Sequence, residues 1–194
     1  YNFPLPSPRE PPNKVIAWRG SPTHSEDLLT YADDIVKMYK QFPEYSWSFF
    51  GGLNWQLAKM LPDTDRVKIY GSSDVMSYLT SLKEERPEWL IVPLKDSAFN
   101  RAKSDIAFLE ATWAGAVTLA PDLPEWARGA VLWNKHRGMY QTFKDNQGLT
   151  KERLELAEEY IMARETDYRG ETYKDPRLLS QENDKRATIL KRFE

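Results

Sequence analysis

The stretch AFNRAKSDIAFLEATWAGAVTLA, residues 98–120, decides the fold. It runs from a polar loop into a helical segment whose Ile106, Leu109 and Trp113 share one face, and then through Gly115 into an apolar run over residues 116–120. A helix that passes to an apolar strand through one glycine is the repeating joint of alternating α/β chains.

Outward from this joint the same order recurs. Upstream, Val15-Ile16-Ala17-Trp18 reads as a strand that breaks at Gly20 and Pro22. Residues 25–41 carry Leu28, Leu29, Ala32, Ile35, Val36 and Tyr39 at helical spacing, with Ser25 as a cap and Glu26 and Asp27 near the positive end. Residues 45–50 form a strand closed by Gly51-Gly52, 55–60 a short helix, and 67–70 a strand ending at Gly71. Ser72 or Ser73 then opens a helix to about residue 82. Residues 89–94 are the next strand, and Pro93 near its end argues for a sheet margin. A helix over 104–113 and strands over 116–120 and 129–133 complete the pattern. The strands lack a consistently polar alternate face, which predicts an α/β fold: a doubly wound parallel Rossmann-like sheet with helices on both sides.

The chain divides into an N-terminal linker over residues 1–13, a Rossmann-like domain over 14–150, and peripheral C-terminal helices over 151–194 packed on the same domain. Nearly half the residues of that tail are charged, while Leu154, Leu156, Ala157, Tyr160 and Ile161 keep helical spacing. Two or three helices are expected there, one over 150–165 and another over 180–193.

At 194 residues the chain is long enough to bury roughly 70% of its unfolded surface without crosslinks. It has no cysteine, which excludes disulfides, thiolate metal sites and cysteine nucleophiles. With 27 basic and 29 acidic residues there is no single-sign field suited to nucleic acid. No apolar run approaches the roughly 20 residues of a membrane span, and no secretory signal pattern opens the sequence. A cytoplasmic location is the expectation. His24 and His136 are the two histidines, and neither sits in a metal-ligand pattern, so no metal is expected and no catalyst is assigned.

Glu110 lies four residues beyond Ile106, next to a packed helix face. A carboxylate held there needs hydroxyls, backbone donors or a cation, and a sugar diol would satisfy it; the alternative is that it sits at the edge of the stripe and faces water. The loop before this helix offers Asn100, Arg101, Lys103 and Ser104. Open parallel sheets bind ligands at the carboxyl ends of their strands, so Ser104 could cap the helix while its amides and Lys103 meet a phosphate. Arg19, Gly20 and His24 after the first strand form a second cationic loop, and Pro121 to Trp126 a rigid one that carries Glu125. For each of these loops an ordinary surface or turn role is the competing account. Neither a Walker-type phosphate loop nor a Gly-x-Gly-x-x-Gly fingerprint is present.

On these residues the chain resembles the C-terminal, nucleotide-sugar-binding domain of GT-B glycosyltransferases, in the retaining group called group 1 or family 4. The resemblance runs from about Lys14 to about Leu156 and is most specific over residues 99–120, which look like the family's Glu-x7-Glu region. Its second glutamate falls on Glu110, and the resemblance implies that this carboxylate holds the ribose hydroxyls of a donor nucleotide. The first glutamate falls on Ala102, and the arginine expected after Gly20 is Ser21. Glu125 falls where the family has a glutamate after the next strand.

The resemblance thus implies a donor-binding domain of a hexosyltransferase-like enzyme, with a nucleotide-sugar as substrate and no cofactor. It further implies a partner N-terminal domain for the acceptor. The candidate donor residues are Glu110, Lys103, Ser104, Asn100, Arg19, Gly20, His24 and Glu125. Ala102 and Ser21 favour the alternative, a noncatalytic scaffold on the same fold. A third possibility is an unrelated nucleotide enzyme on this sheet.

Overall fold

A computed structural model describes residues 10–61, 64–123 and 129–168. Glu125, the expected helix over 180–193 and most of the expected linker lie outside the described residues.

Six parallel strands form one sheet in the order β3-β2-β1-β4-β5-β6: β1 (Asn13–Arg19), β2 (Ser46–Phe50), β3 (Val67–Tyr70), β4 (Pro87–Ile91), β5 (Val117–Pro121) and β6 (Val131–Trp133). The strand order reverses between β1 and β4. In open α/β sheets that reversal leaves a crevice at the carboxyl ends of the two strands.

The helices are α1 (Ser25–Thr30), α2 (Ala32–Gln41), α3 (Trp55–Met60), α4 (Val75–Glu85), α5 (Ala98–Arg101), α6 (Ile106–Ala114), α7 (Gly138–Asp145) and α8 (Thr150–Tyr168). Side chains of each strand alternate between two cores, and both are apolar, which is why the strands read as continuous hydrophobic runs. One core holds the large rings Trp47, Phe49, Trp89 and Trp133 beneath α2 and α7. The other is rich in alanine: Ala17, Ala116 and Ala120 from strands meet Ala107, Ala111 and Ala114 from α6. Small side chains on both surfaces let α6 lie close on the sheet, which draws Glu110 to 7% exposure.

Several expectations need correction. The helix expected over 25–41 is two helices, because Tyr31 leaves helical geometry (φ −110°, ψ 18°) and its hydroxyl donates to Leu94 O at 3.1 Å. The strand expected at a margin, β4, lies between β1 and β5 near the middle of the sheet; it ends at Ile91, so Pro93 removes no ladder donor. Asp74 rather than a serine caps α4, accepting from the amides of Met76 and Ser77. Helix α6 begins at Ile106, after Ser104, and no side chain caps it. Helix α7 was not expected: its amides at Met139 and Tyr140 donate to Asp34 Oδ2 of α2 at 3.1 and 3.2 Å, and the turn before it is closed by Asn134 Oδ1, which accepts from the amides of His136 and Arg137 at 3.0 Å each. Asn13, placed in the linker by sequence, already pairs in β1.

Helix α8 lies against α6 and β5, with the Phe108 and Tyr160 rings edge to face at 6.0 Å and Ala157 buried.

Candidate functional site

At the β1/β4 reversal a cavity of about 240 Å³ opens between the strand ends and the start of α6. Trp18, Val92 and Leu94 wall it; Arg19, His24, Lys103 and Ser104 supply its polar groups. Three of those four carry or accept a proton, and no carboxylate lines the cavity among the described residues. Long-range topology rather than sequence proximity makes this set: Arg19 ends β1, His24 precedes α1, and Lys103 and Ser104 stand just before α6.

Glu110 adjoins the cavity through Arg19. Arg19 Nε lies 2.9 Å from Glu110 Oε2, and the Tyr78 hydroxyl donates to the same oxygen at 3.1 Å. The Arg19 Nε–H is not aimed along that line, so the contact is an ion pair more than a linear hydrogen bond. Tyr78 is fixed by the α4 cap at Asp74 and by its edge-to-face packing on Phe50 at 5.5 Å. Among the described residues, none donates a hydrogen bond to Glu110 Oε1. Burial pushes the Glu110 carboxyl above the ordinary glutamate range, and Arg19 and Tyr78 only partly oppose it. Burial, with the neighbouring Glu110 charge, also raises the Tyr78 hydroxyl far above the ordinary tyrosine range.

Lys103 Nζ sits 3.1 Å from His24 Nδ1, 3.9 Å from Asp27 Oδ2 and over the Phe99 ring. His24 Nδ1 is also 3.0 Å from Asp27 Oδ2. One ring nitrogen either donates to Asp27 or accepts from Lys103, so the imidazole cannot satisfy both at once. Burial lowers the Lys103 pKa; Asp27 pulls the other way, and the positive Arg19 adds to the lowering.

The structure divides the sequence candidates. Arg19, His24, Lys103 and Ser104 share the cavity, with Glu110 beside it. Asn100 serves the loop behind them: it is buried, and its amide donates to Asp27 Oδ1 at 2.8 Å and Lys95 O at 2.9 Å. Gly20 is consumed by the sheet ends, donating to Phe50 O at 3.0 Å, and its carbonyl presses so closely on Gly51 (φ +94°) that a side chain there would collide with it. Glu125 lies outside the described residues. Ala102, where the family has its first glutamate, ends α5 with an exposed methyl group. Tyr78 and Asp27 were missed. Tyr78 had no signal beyond its place in an amphipathic helix, and Asp27 was read only as a first-turn acid of α1.

A 3-2-1-4-5-6 parallel sheet with a cationic cavity at its reversal defines a doubly wound Rossmann-like domain. Among the solved structures it resembles are GT-B group 1 glycosyltransferases, and the chain has the fold of one of their domains. It is similar to the C-terminal domain of a glycosyl transferase group 1 family protein, LpcC, from Francisella tularensis (TM-score 0.53, 13% identity, 75% of this chain and 82% of that one). It is similar to an alpha,alpha-trehalose-phosphate synthase (UDP-forming) from Burkholderia vietnamiensis (0.58, 12%, 91% and 44%). It is also similar to an S. aureus TarM mutant solved in complex with UDP (0.58, 16%, 98% and 38%). The chain thus spans less than half the length of the last two. No protein-family model matches the sequence, and no curated protein does. Among the described residues no helix is long and apolar enough to cross a membrane, and no cluster of histidine and carboxylate residues could hold a metal.

Proposed function

We propose that this domain binds the nucleotide part of a nucleotide-sugar donor, as one half of a glycosyltransferase. The observation that carries the reading is Glu110: a buried carboxylate held through one oxygen, with no described residue bonded to the other, beside a cationic cavity at the β1/β4 reversal. A vicinal diol donates two hydrogen bonds to such an oxygen, and burial makes each of them count for more than it would in water. Arg19 and Lys103 would take the diphosphate, helped by first-turn amides of α6 that no side chain caps. Stabilising the negative charge that builds on a departing nucleoside diphosphate is how such groups assist glycosyl transfer. Transfer itself would need a second domain facing this edge of the sheet to complete the acceptor site.

The test is calorimetric titration with UDP, GDP and ADP, each alone and as a sugar conjugate. Saturable binding that weakens in Glu110→Gln is the expected result. Absence of binding across the panel, by a folded protein, would remove the donor reading and favour a noncatalytic scaffold. The alanine at position 102, which leaves the paired-acid pattern incomplete, is the observation on that second reading's side.

A further inference from the structure

A second, larger cavity of about 560 Å³ opens at the ends of β5 and β6 and meets the first only at Leu94. Its character is different. Where the smaller cavity presents cations without a carboxylate, this one presents Asp96 and Asp122 together with Arg101 and Lys135. Asp96 is already committed, holding Arg101 through two bonds of 2.6 and 2.7 Å with Lys135 at 3.8 Å. The Asp122 carboxylate and the His136 ring have no partner among the described residues, and both are exposed.

The floor is apolar and fixed. Tyr31 and Trp133 meet edge to face at 5.4 Å, beside Leu94, Pro121 and Leu123. The Tyr31 hydroxyl donates to Leu94 O, and burial raises its pKa. A floor of ring edges and aliphatic carbon under a rim that both donates and accepts hydrogen bonds suits a ligand with C–H faces and many hydroxyls. A balance of two carboxylates and two cations gives no advantage to an anion over a neutral molecule. The volume lies in the range of small-molecule sites.

We propose that this cavity binds a neutral sugar unit, as an acceptor subsite beside the donor cavity. The acceptor role rests on the donor reading given above; sugar binding here does not. Asp122 and His136 are the residues assigned to grip ring hydroxyls, and Tyr31 and Trp133 are the apolar floor.

The test is backbone and indole NMR titration of the chain with maltose, cellobiose and N-acetylglucosamine, with inorganic phosphate as the anionic control, repeated with UDP present. The expected result is saturable shifts at the Trp133 indole and at Asn134 and His136, unchanged by UDP. In Asp122→Ala and His136→Ala, both at exposed positions, the affinity should fall about fivefold or more while UDP shifts at Arg19 and Lys103 persist. If none of the sugars shifts these signals up to roughly 50 mM, the proposal is overturned. It is overturned equally if phosphate shifts them and the sugars do not, or if UDP displaces the sugar. Absence of any UDP effect at Arg19 would count against the donor reading alone and would leave the sugar result standing.

Discussion

Glu85 and Glu110 are both buried glutamates on the alanine-rich side of the sheet, and each receives a tyrosine hydroxyl and a cation. They differ in what is left over. Glu85 Oε1 accepts from Lys68 at 2.6 Å and Tyr70 at 2.5 Å, and its Oε2 accepts from Ser48 at 2.9 Å. Burial alone would raise its pKa, but those three donors outweigh it and hold the carboxyl below the ordinary glutamate range. Glu110 has both of its described partners on one oxygen, and burial wins. An acid whose lone pairs are filled is part of the frame; one held above its ordinary pKa with an oxygen to spare is suited to a ligand. Glu88 near the start of β4 follows Glu85, filled by Lys14 at 2.6 Å and by Tyr45 and Thr150 at 3.0 Å each. The filled acids lie toward the amino ends of β1 and β4, and the unfilled one beside the carboxyl ends.

Breaking the filled site should have the largest effect. Glu85→Ala leaves the buried Ser48 hydroxyl and the Tyr70 hydroxyl without an acceptor and should destabilise the fold by about 2–4 kcal/mol. Urea denaturation would read this, and UDP affinity should not change. Glu110→Gln should do the reverse. It removes the charge that a diol would meet, so UDP affinity should fall about 10- to 100-fold, while stability stays within about 1 kcal/mol because relief from burying a charge offsets the lost Arg19 pair. If the two variants exchange these outcomes, the distinction between the acids is wrong.

That distinction was only half legible in the sequence. Spacing placed Glu110 against a packed face, and composition gave the parallel sheet, because strands buried on both sides cannot alternate apolar with polar. Helix α3 and strand β3 came out at the residues where the structure has them. What failed was everything set by distant residues. Arg19 and Tyr78 reach Glu110 from β1 and α4, and Asp34 caps α7 from 105 positions away. Met139 and Phe143, four apart and buried, and Asn134, which accepts from the amides of His136 and Arg137, carried local signals for α7, but its first helical amides are met by that distant carboxylate. Tyr31 breaks the first long helix through a bond to Leu94, another contact that local periodicity cannot register.

A smaller effect is expected at Lys103. It contributes charge to the cavity but already leans on Asp27 and His24, so Lys103→Ala should weaken UDP binding about 3- to 10-fold in low salt, with less difference as salt rises. Weakening equal to that of Glu110→Gln would mean that phosphate, rather than the diol, dominates recognition, and would blunt the role given to the unfilled oxygen.

The smallest effect, and the most direct reading of the two acids, is in pH. Glu85 has a depressed folded pKa, so its contribution to stability is present above the ordinary glutamate value and is lost as pH falls through the folded value. Glu110 has a raised folded pKa, so the folded chain binds the extra proton. Its favourable contribution is present below the ordinary value and is lost as pH rises from there through the raised one. Denaturation measured from pH 3 to pH 7 should therefore flatten on its acid side in Glu85→Gln and on its higher-pH side in Glu110→Gln. Binding of a UDP-sugar, whose diphosphate does not titrate in this window, should strengthen as Glu110 ionises to accept the diol, and this trend should vanish in Glu110→Gln. A trend that survives the substitution would assign the titration to another group and would deprive Glu110 of the feature that separates it from Glu85.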